Sequence, residues 1–418
     1  MKLRITTLYG LALILMPLTY GTKFALGIPD VTWVDPTLVL GLILFVLIVP
    51  PIRPGISLLV AVSACVSAVL GMFFLQYSTG QSGNLYWAFR EPLRVTLNLL
   101  WFWVSISVAQ RARDQLLTWL AVSVLLQLGL ACYMWGAAQG LVAMPDPVGS
   151  YVREFAVRQS IVFHGMRIAR MGGTFIESPP FGLFMFSALA IFSLAWWHDR
   201  SRSRWVAAGW LASLAGTLAS LADQVLLGMI ALAGAGLYVL WQARRKTLVL
   251  AVCLVLLVPV AWYVYGNLRE KIASAPTDAS AVYAHSVGER VFHTRYSLKL
   301  LVHHPQFVLW GLGPGRYGMY AERTGIWPNT VTTQVTPVEW LIEYGLVGTA
   351  LILIWLGKVG RQSARQFGVL GLGVFAGLML ANMFQASWKW ESWFLALAFL
   401  YATAPPGPGD RPADRAAP

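Results

Sequence analysis

Apolar runs of about 20 residues alternate with short polar or basic segments along most of the chain. A run of this length is what an α-helix needs to cross the hydrocarbon core of a bilayer. The pattern therefore predicts an all-α, polytopic transmembrane helix bundle of about 12 spans. The predicted spans cover approximately residues 6–27, 37–52, 55–76, 85–110, 115–138, 174–197, 205–221, 225–241, 247–266, 338–357, 367–386 and 392–404.

Composition excludes a soluble domain. Of the 418 residues, 57% are hydrophobic and only 12% are charged, whereas about a quarter of the residues of a typical soluble domain carry a charge. The net charge of +13 does not indicate nucleic acid as a partner, because the basic residues stand in short clusters between apolar runs. That distribution is typical of a chain whose orientation in a membrane is set by its loops.

Two long polar segments interrupt a single transmembrane domain that spans residues 1–404. The first segment covers residues 139–173. The second covers residues 267–337 and is predicted to be a large, partly helical loop between spans 9 and 10. The tail at 405–418 is rich in proline, alanine and aspartate, and this composition favours a disordered, cytoplasmic segment.

The short basic connections predict the orientation. When 12 spans alternate, these connections fall on one side, which is cytoplasmic because short basic loops stay inside. They are Arg53, Arg111, Arg113 and the clusters at 200–204, 244–246 and 358–365. Both termini are then cytoplasmic, and both long polar segments face outward.

The outward segments nevertheless carry many arginines, for which the orientation rule gives no reason. They are Arg153, Arg158, Arg167 and Arg170 in the first segment and Arg290, Arg295, Arg316 and Arg323 in the second. A forked, permanently charged guanidinium suits phosphate oxygens, so a substrate with a diphosphate fits these residues. The alternatives are contact with anionic lipid headgroups and internal ion pairs.

Charged residues also occur near the ends of predicted spans, where they are costly unless paired or hydrated. Arg90 and Arg94 are four residues apart and share a helix face, with Glu91 beside them as a counter-charge. Glu339 and Glu343 have the same spacing at the start of span 10, where the helix amino terminus favours a negative charge.

Several motifs in this order resemble the O-antigen ligase and O-antigen polymerase superfamily of bacterial membrane glycosyltransferases. They are Glu289-Arg290, Thr294-Arg295-Tyr296, His304-Pro305, the glycine-rich run 311–315, the run 343–348 and the run 170–179. Where ligases of the superfamily carry a His-Asn pair, this chain has Gln334-Val335. A glutamine does not accept a proton as imidazole does, so the polymerase side of the superfamily is favoured.

The resemblance implies a transfer reaction at the outer face of the bacterial inner membrane. A glycan would pass from an undecaprenyl diphosphate carrier to a sugar hydroxyl, with inversion and without a metal or other cofactor. The resemblance implies a diphosphate-binding set and a set of candidate bases. The first set is Arg295, Arg290, Arg316 and Arg170, with Arg90 and Arg94 in reserve, and the second is Glu343, Glu339 and Glu177.

The expected partners are the lipid-linked oligosaccharide, a glycan acceptor, membrane lipids and a chain-length regulator protein. Three alternatives stay open from the sequence. The chain could be a ligase that transfers glycan to the lipid A core, a transporter of a lipid-linked glycan, or a scaffold that has lost catalysis. For Glu343 itself, the structural alternative is a carboxylate that holds the outer loop by accepting hydrogen bonds.

Overall fold

The computed structural model describes a set of ranges that includes most of the predicted spans. These ranges are 6–15, 43, 55–79, 85–143, 161–163, 166–168, 170–172, 175, 178–197, 203–242, 258, 262, 265–266, 269, 286–323, 335–383 and 391–402. The helices are α1 (Thr6–Leu15), α2 (Ile56–Thr79), α3 (Leu85–Arg111), α4 (Arg113–Ala138), α5 (Ser178–Trp197), α6 (Arg204–Ser220), α7 (Asp223–Gln242), α8 (Ser286–His303), α9 (Gln306–Trp310), α10 (Arg316–Arg323), α11 (Thr336–Met383) and α12 (Glu391–Tyr401).

Six helices in the described ranges are long and apolar enough to cross a membrane: α2, α3, α4, α5, α7 and α11. The helical membrane class predicted from the apolar runs is therefore supported. The number of 12 spans stays a prediction, because the predicted spans at 37–52 and 247–266 fall almost wholly outside the described residues.

Helix α11, of 48 residues, consists of helical segments joined across kinks and covers most of two predicted spans, 338–357 and 367–386. Its backbone leaves helical geometry at Gly345, with φ 64°, and at Gly368, with φ 60°. The hydroxyl of Thr336, at the start of α11, donates a hydrogen bond to the carbonyl of Asn382, near its end. The element therefore folds back on itself, so that its two ends lie side by side.

Close contacts among α5, α6, α7 and α11 show the relative directions of these helices. The Trp210 indole donates to the Ser193 hydroxyl at 3.0 Å, and Gly182 packs against Ser220 and Val225. Helices α5 and α6 are therefore antiparallel, and α7 begins beside the end of α6. Gly228 of α7 then packs against the Gly377 carbonyl of α11, which brings the start of α7 to the same end of the bundle as Thr336 and Asn382.

These contacts define two ends of the bundle. At the end that we call the basic end, the Arg113 guanidinium lies 4.2 Å from the centre of the Phe399 ring, and the Gln366 amide donates to the Ala402 carbonyl at 3.0 Å. The helix connections that carry basic residues meet there, with Arg111, Arg113, Arg204, Arg361 and Arg365. The opposite end, with Thr336 and Asn382, is called the carboxylate end.

The first polar segment contains a feature that the all-α prediction missed. Strands β1 (Ile161–Phe163) and β2 (Met166–Ile168) pair antiparallel, with Val162 opposite Arg167. Isoleucine, valine and phenylalanine favour strands, and only two residues separate the two runs, which is the spacing of a tight hairpin. The runs are too short to show as a periodic pattern in the sequence.

Candidate functional site

The glycine-rich run 311–315, called the glycine turn, reaches into the carboxylate end of the bundle. The N–H of Leu312 donates to the carbonyl of Ile342 at 2.8 Å, and the N–H of Gly313 donates to the carbonyl of Glu343 at 2.9 Å. These carbonyls precede the break in α11 at Gly345, where the carbonyls of the preceding turn lose their usual partners four residues on. The glycine turn therefore supplies donors where α11 is interrupted.

Three elements approach the glycine turn so closely that its glycine positions leave no space for a Cβ atom. Gly311 has φ 75° and lies against the carbonyl of Glu343. Gly71 of α2 meets the carbonyl of Leu312, and Gly315 meets the side chain of Glu91 on α3. Only a residue without a Cβ fits such positions, so the place of the turn between α2, α3 and α11 requires glycine at 311 and 315.

Four charged residues are buried at the turn or on the first turns of α11. Glu339 and Glu343 are 0% exposed, Arg316 is 2% exposed and Glu91 is 8% exposed, and none of the four lacks an interaction partner. A buried charge is costly unless it is paired or hydrogen-bonded. These four side chains therefore need partners inside the protein, and that need restricts how α3, α11 and the glycine turn can pack against one another.

Outside the bundle, α8, α9 and α10 form a small lobe with its own apolar core. This core is made of Leu300, Leu301, Phe307, Leu312, Tyr317, Tyr320 and Ile342. Since Leu312 belongs to the glycine turn and Ile342 to α11, the core is continuous with the carboxylate end. The lobe therefore holds the glycine turn in place from the other side.

The sequence analysis missed His293, which is 0% exposed inside this lobe. Its Nδ1 and the hydroxyl of Tyr317 are 2.8 Å apart and share a hydrogen bond that ties α8 to α10. Burial lowers the pKa of His293 to about 4 and raises the pKa of Tyr317. The signal for His293 was its place on the stripe of α8 that also carries Ser297, Leu300 and Leu301, which are four, seven and eight residues further along the helix and are buried.

The predicted arginines of α8 do not share one face. Arg295 is exposed, whereas Arg290 is partly exposed and continues the stripe of His293 and Ser297. Five residues of an α-helix turn through about 140° between them. Only one of the two can therefore point toward the buried side of the lobe at a time.

The first polar segment reaches the same end of the bundle as the glycine turn. The N–H of Met171 donates to the carbonyl of Ala219 at the end of α6, at 3.2 Å. Arg170 is partly exposed there, and Arg94 is partly exposed one turn after Glu91. The two polar segments, which the sequence predicts to face outward, thus both meet the carboxylate end.

Some predicted site residues lie outside the described part of the chain. Glu177 is among them, as are Arg153 and Arg158. Arg90 and Arg323 lie in α3 and α10, and Arg167 lies in β2, but their side chains are outside the described part. Of the predicted residues, the structure places Glu343 and Arg316 at the glycine turn, buries Glu339 one helical turn before Glu343 on α11, and leaves Arg295 at the surface.

No group of three or more His, Cys, Asp or Glu side chains is arranged to hold a metal ion in the described residues. The metal-independent reaction stays a prediction. No family model matches the chain, and no curated protein matches it. The resemblance to the O-antigen ligase and polymerase superfamily is therefore also a prediction.

Proposed function

We propose that the chain is a membrane glycosyltransferase that polymerises O-antigen or exopolysaccharide repeat units. Its donor would be an oligosaccharide on undecaprenyl diphosphate, presented at the outer face of the bacterial inner membrane. The observation that carries this proposal is the carboxylate end itself. Both arginine-bearing polar segments meet there, beside the buried Glu339 and Glu343 and opposite the basic end.

The arrangement suits transfer of a sugar from a diphosphate. The acceptor hydroxyl gives its proton to a carboxylate, with Glu343 and Glu339 as the described candidates, while its oxygen forms the new bond to the anomeric carbon. The bond from that carbon to the diphosphate oxygen breaks, and the leaving diphosphate takes the electron pair. Arginines at the carboxylate end stabilise that charge with forked hydrogen bonds.

The partly exposed Arg94, Arg170 and Arg290 and the exposed Arg295 are accessible to a lipid-linked substrate. Arg316 lies deeper, next to the glycine turn. We therefore assign first contact with the diphosphate to the accessible group. Arg316 acts closer to the carboxylates.

The test is the state of the glycan in cells that carry variants of the chain. Replacing Glu343 by glutamine should abolish long polymer, and single lipid-linked repeat units should accumulate in the outer leaflet. Replacing Arg295 by alanine should shorten the polymer. The matched control is Arg361→Ala, an exposed arginine at the basic end, which should leave chain length unchanged.

Three outcomes would contradict the proposal. Normal polymer in the Glu343→Gln and Glu339→Gln variants would show that neither carboxylate is the base. Loss of glycan transfer to the lipid A core with normal chain length would indicate a ligase. Depletion of the lipid-linked unit from the outer leaflet would indicate a transporter.

One observation favours the transporter as a second candidate. Helix α11 is interrupted at Gly345 beside buried charged residues, and transporters bind substrates at broken helices of this kind. In this chain, however, the interruption is filled by the glycine turn, whose N–H groups bond to the freed carbonyls. Because the glycine turn occupies the interruption, the structure there supports an enzyme with a fixed site better than a transporter with a moving gate.

A further inference from the structure

The side chains of Glu91 and Arg316 border the same turn from two sides. The carboxyl carbon of Glu91 lies 3.5 Å from where a Cβ on Gly315 would stand, and its Cγ is closer still. The Cδ of Arg316 lies 3.3 Å from where a Cβ on Gly313 would stand. Each side chain therefore occupies the space that one glycine leaves open, and the two glycines are two residues apart along the turn.

The energetics require a counter-charge for Arg316. A guanidinium keeps its charge at any relevant pH, and a buried charge without compensation is strongly destabilising. The buried carboxylates described near the turn are Glu91, Glu339 and Glu343. Glu343 meets the turn through its main-chain carbonyl, whereas Glu91 meets it with the carbons that bear its carboxylate.

We infer that Glu91 is the counter-charge of Arg316 and that the pair clamps the glycine turn between α2, α3 and α11. In this role Glu91 is a positioning residue, since it acts through the guanidinium. A guanidinium has five N–H donors, so a carboxylate on one side leaves donors for a phosphate. That last step rests on the proposed function, whereas the pairing itself does not.

The pairing is tested by thermal stability of the full chain in detergent. Glu91→Gln and Arg316→Gln should each lower Tm by roughly 5–10 °C, because each leaves one buried charge uncompensated. The double variant removes both charges, so its Tm should lie above that of Glu91→Gln and its loss should be smaller than the sum of the single losses. Additive losses would overturn the inference.

The other two buried carboxylates supply the matched controls. Arg316→Gln combined with Glu339→Gln, or with Glu343→Gln, should show additive losses. Recovery in one of those combinations in place of the Glu91 combination would assign the counter-charge to that glutamate and overturn the inference. Where Glu91→Gln does not fold, recovery of folded, monodisperse protein in the double variant supports the pairing, and absence of recovery refutes it.

Polymer length, measured in the same variants, distinguishes failure of this inference from failure of the proposed function. Glu91→Asp keeps the charge and should retain most of the polymer, whereas Glu91→Gln should shorten it about as much as Arg316→Gln does. If Arg316→Gln abolishes polymer but the stability losses are additive, the pairing is wrong and the function stands. If the stability losses are coupled but polymer is normal in all three variants, the pairing stands and Arg316 has no part in transfer.

Discussion

At the scale of single residues, His293 shows how a buried polar side chain can hold the lobe together. Its imidazole is 0% exposed and bonded to Tyr317, so the folded lobe favours the neutral ring. Burial lowers the pKa from 6.5 to about 4. The bond between α8 and α10 is therefore present at neutral pH and is at risk in acid.

We expect thermal stability to fall as the pH drops from about 6.5 to about 4. In this window the unfolded chain binds a proton at His293 that the folded chain does not bind, so lower pH favours unfolding. Above pH 6.5 both states are neutral at this residue, and its contribution is constant. Measuring Tm in detergent at pH 7.5, 6, 5 and 4.5 checks the trend.

Two variants isolate the effect of His293 from other titrating groups. His293→Asn should have a lower Tm at pH 7.5 and a shallower dependence on pH below 6.5. His303→Asn changes an exposed histidine of the same helix and should leave the profile as in the unmodified chain. Parallel profiles for His293→Asn and the unmodified chain would show that His293 is not the group responsible.

The glycine turn gives a second prediction for single residues. Gly311 and Gly140 have nearly equal positive φ values, 75° and 73°, but only Gly311 is pressed against another backbone, and Gly140 has nothing within 4 Å. Gly140→Ala should cost about 1–2 kcal/mol from backbone strain alone. Gly311→Ala should cost about 1–3 kcal/mol more, because its Cβ meets the Glu343 carbonyl.

Chemical or thermal denaturation of the two variants checks the difference, since Gly140→Ala controls for the change of residue type. Equal losses would mean that the turn can move away from α11 without cost. That result would contradict the assignment of the glycine turn as a fixed part of the site.

At the scale of elements, α11 is held in its folded-back form by contacts between its own ends. Thr336 donates to the Asn382 carbonyl near the point where α11 meets the lobe. Both residues are buried. The bond therefore keeps the two arms of α11 aligned beside Glu339.

Replacing Thr336 by valine should destabilise the chain by about 1–3 kcal/mol, because the Asn382 carbonyl loses a donor inside the protein. Thr349→Val is the matched control on the same helix, since the Thr349 hydroxyl makes no hydrogen bond within the described residues. The control should be close to neutral in a denaturation experiment. A loss for Thr349→Val as large as that for Thr336→Val would attribute the effect to the shape of valine.

At the scale of the whole molecule, the separation of charges between the two ends gives an orientation. Short basic connections remain in the cytoplasm, so the basic end is expected inside and the carboxylate end outside. Pro337 and Arg361 are both exposed and both belong to α11. They stand toward opposite ends of its first arm.

Cysteine labelling tests this orientation in a variant in which Cys65, Cys132 and Cys253 are replaced by alanine. In intact spheroplasts, Pro337→Cys should react with a membrane-impermeant maleimide. Arg361→Cys should react only after the membrane is permeabilised. The reverse pattern would place the carboxylate end in the cytoplasm and remove the basis of the proposed function.

The sequence predicted the elements of the bundle better than their arrangement. Apolar runs located α2 through α7 within a few residues, because the length of a membrane helix is set by the bilayer itself. The fold-back at Gly368 divides α11 between two predicted spans. Its alignment depends on Thr336 and Asn382, 46 residues apart, and no local pattern reports such a contact.

The candidate site shows the same limit. Glu339, Glu343 and Arg316 were named from the sequence; Glu343 and Arg316 contact the glycine turn, and Glu339 is buried one helical turn before Glu343. The sequence did not indicate that Glu91 would meet Gly315, because that contact joins residues more than 200 positions apart. The stripe of α8 marks His293 as a buried position, but its hydrogen bond to Tyr317 joins residues 24 positions apart, and no local pattern reports that contact.

The main-chain bonds between the glycine turn and α11 have a consequence for how this chain can vary. Leu312 and Gly313 bond to α11 through backbone atoms, and such bonds do not depend on which side chains flank them. Related chains can therefore differ in the side chains of these two segments, apart from the glycines that the close contacts require, and still keep the same junction. A hybrid that takes its outer lobe from a related chain should therefore keep both main-chain hydrogen bonds without exchange of the first turns of α11.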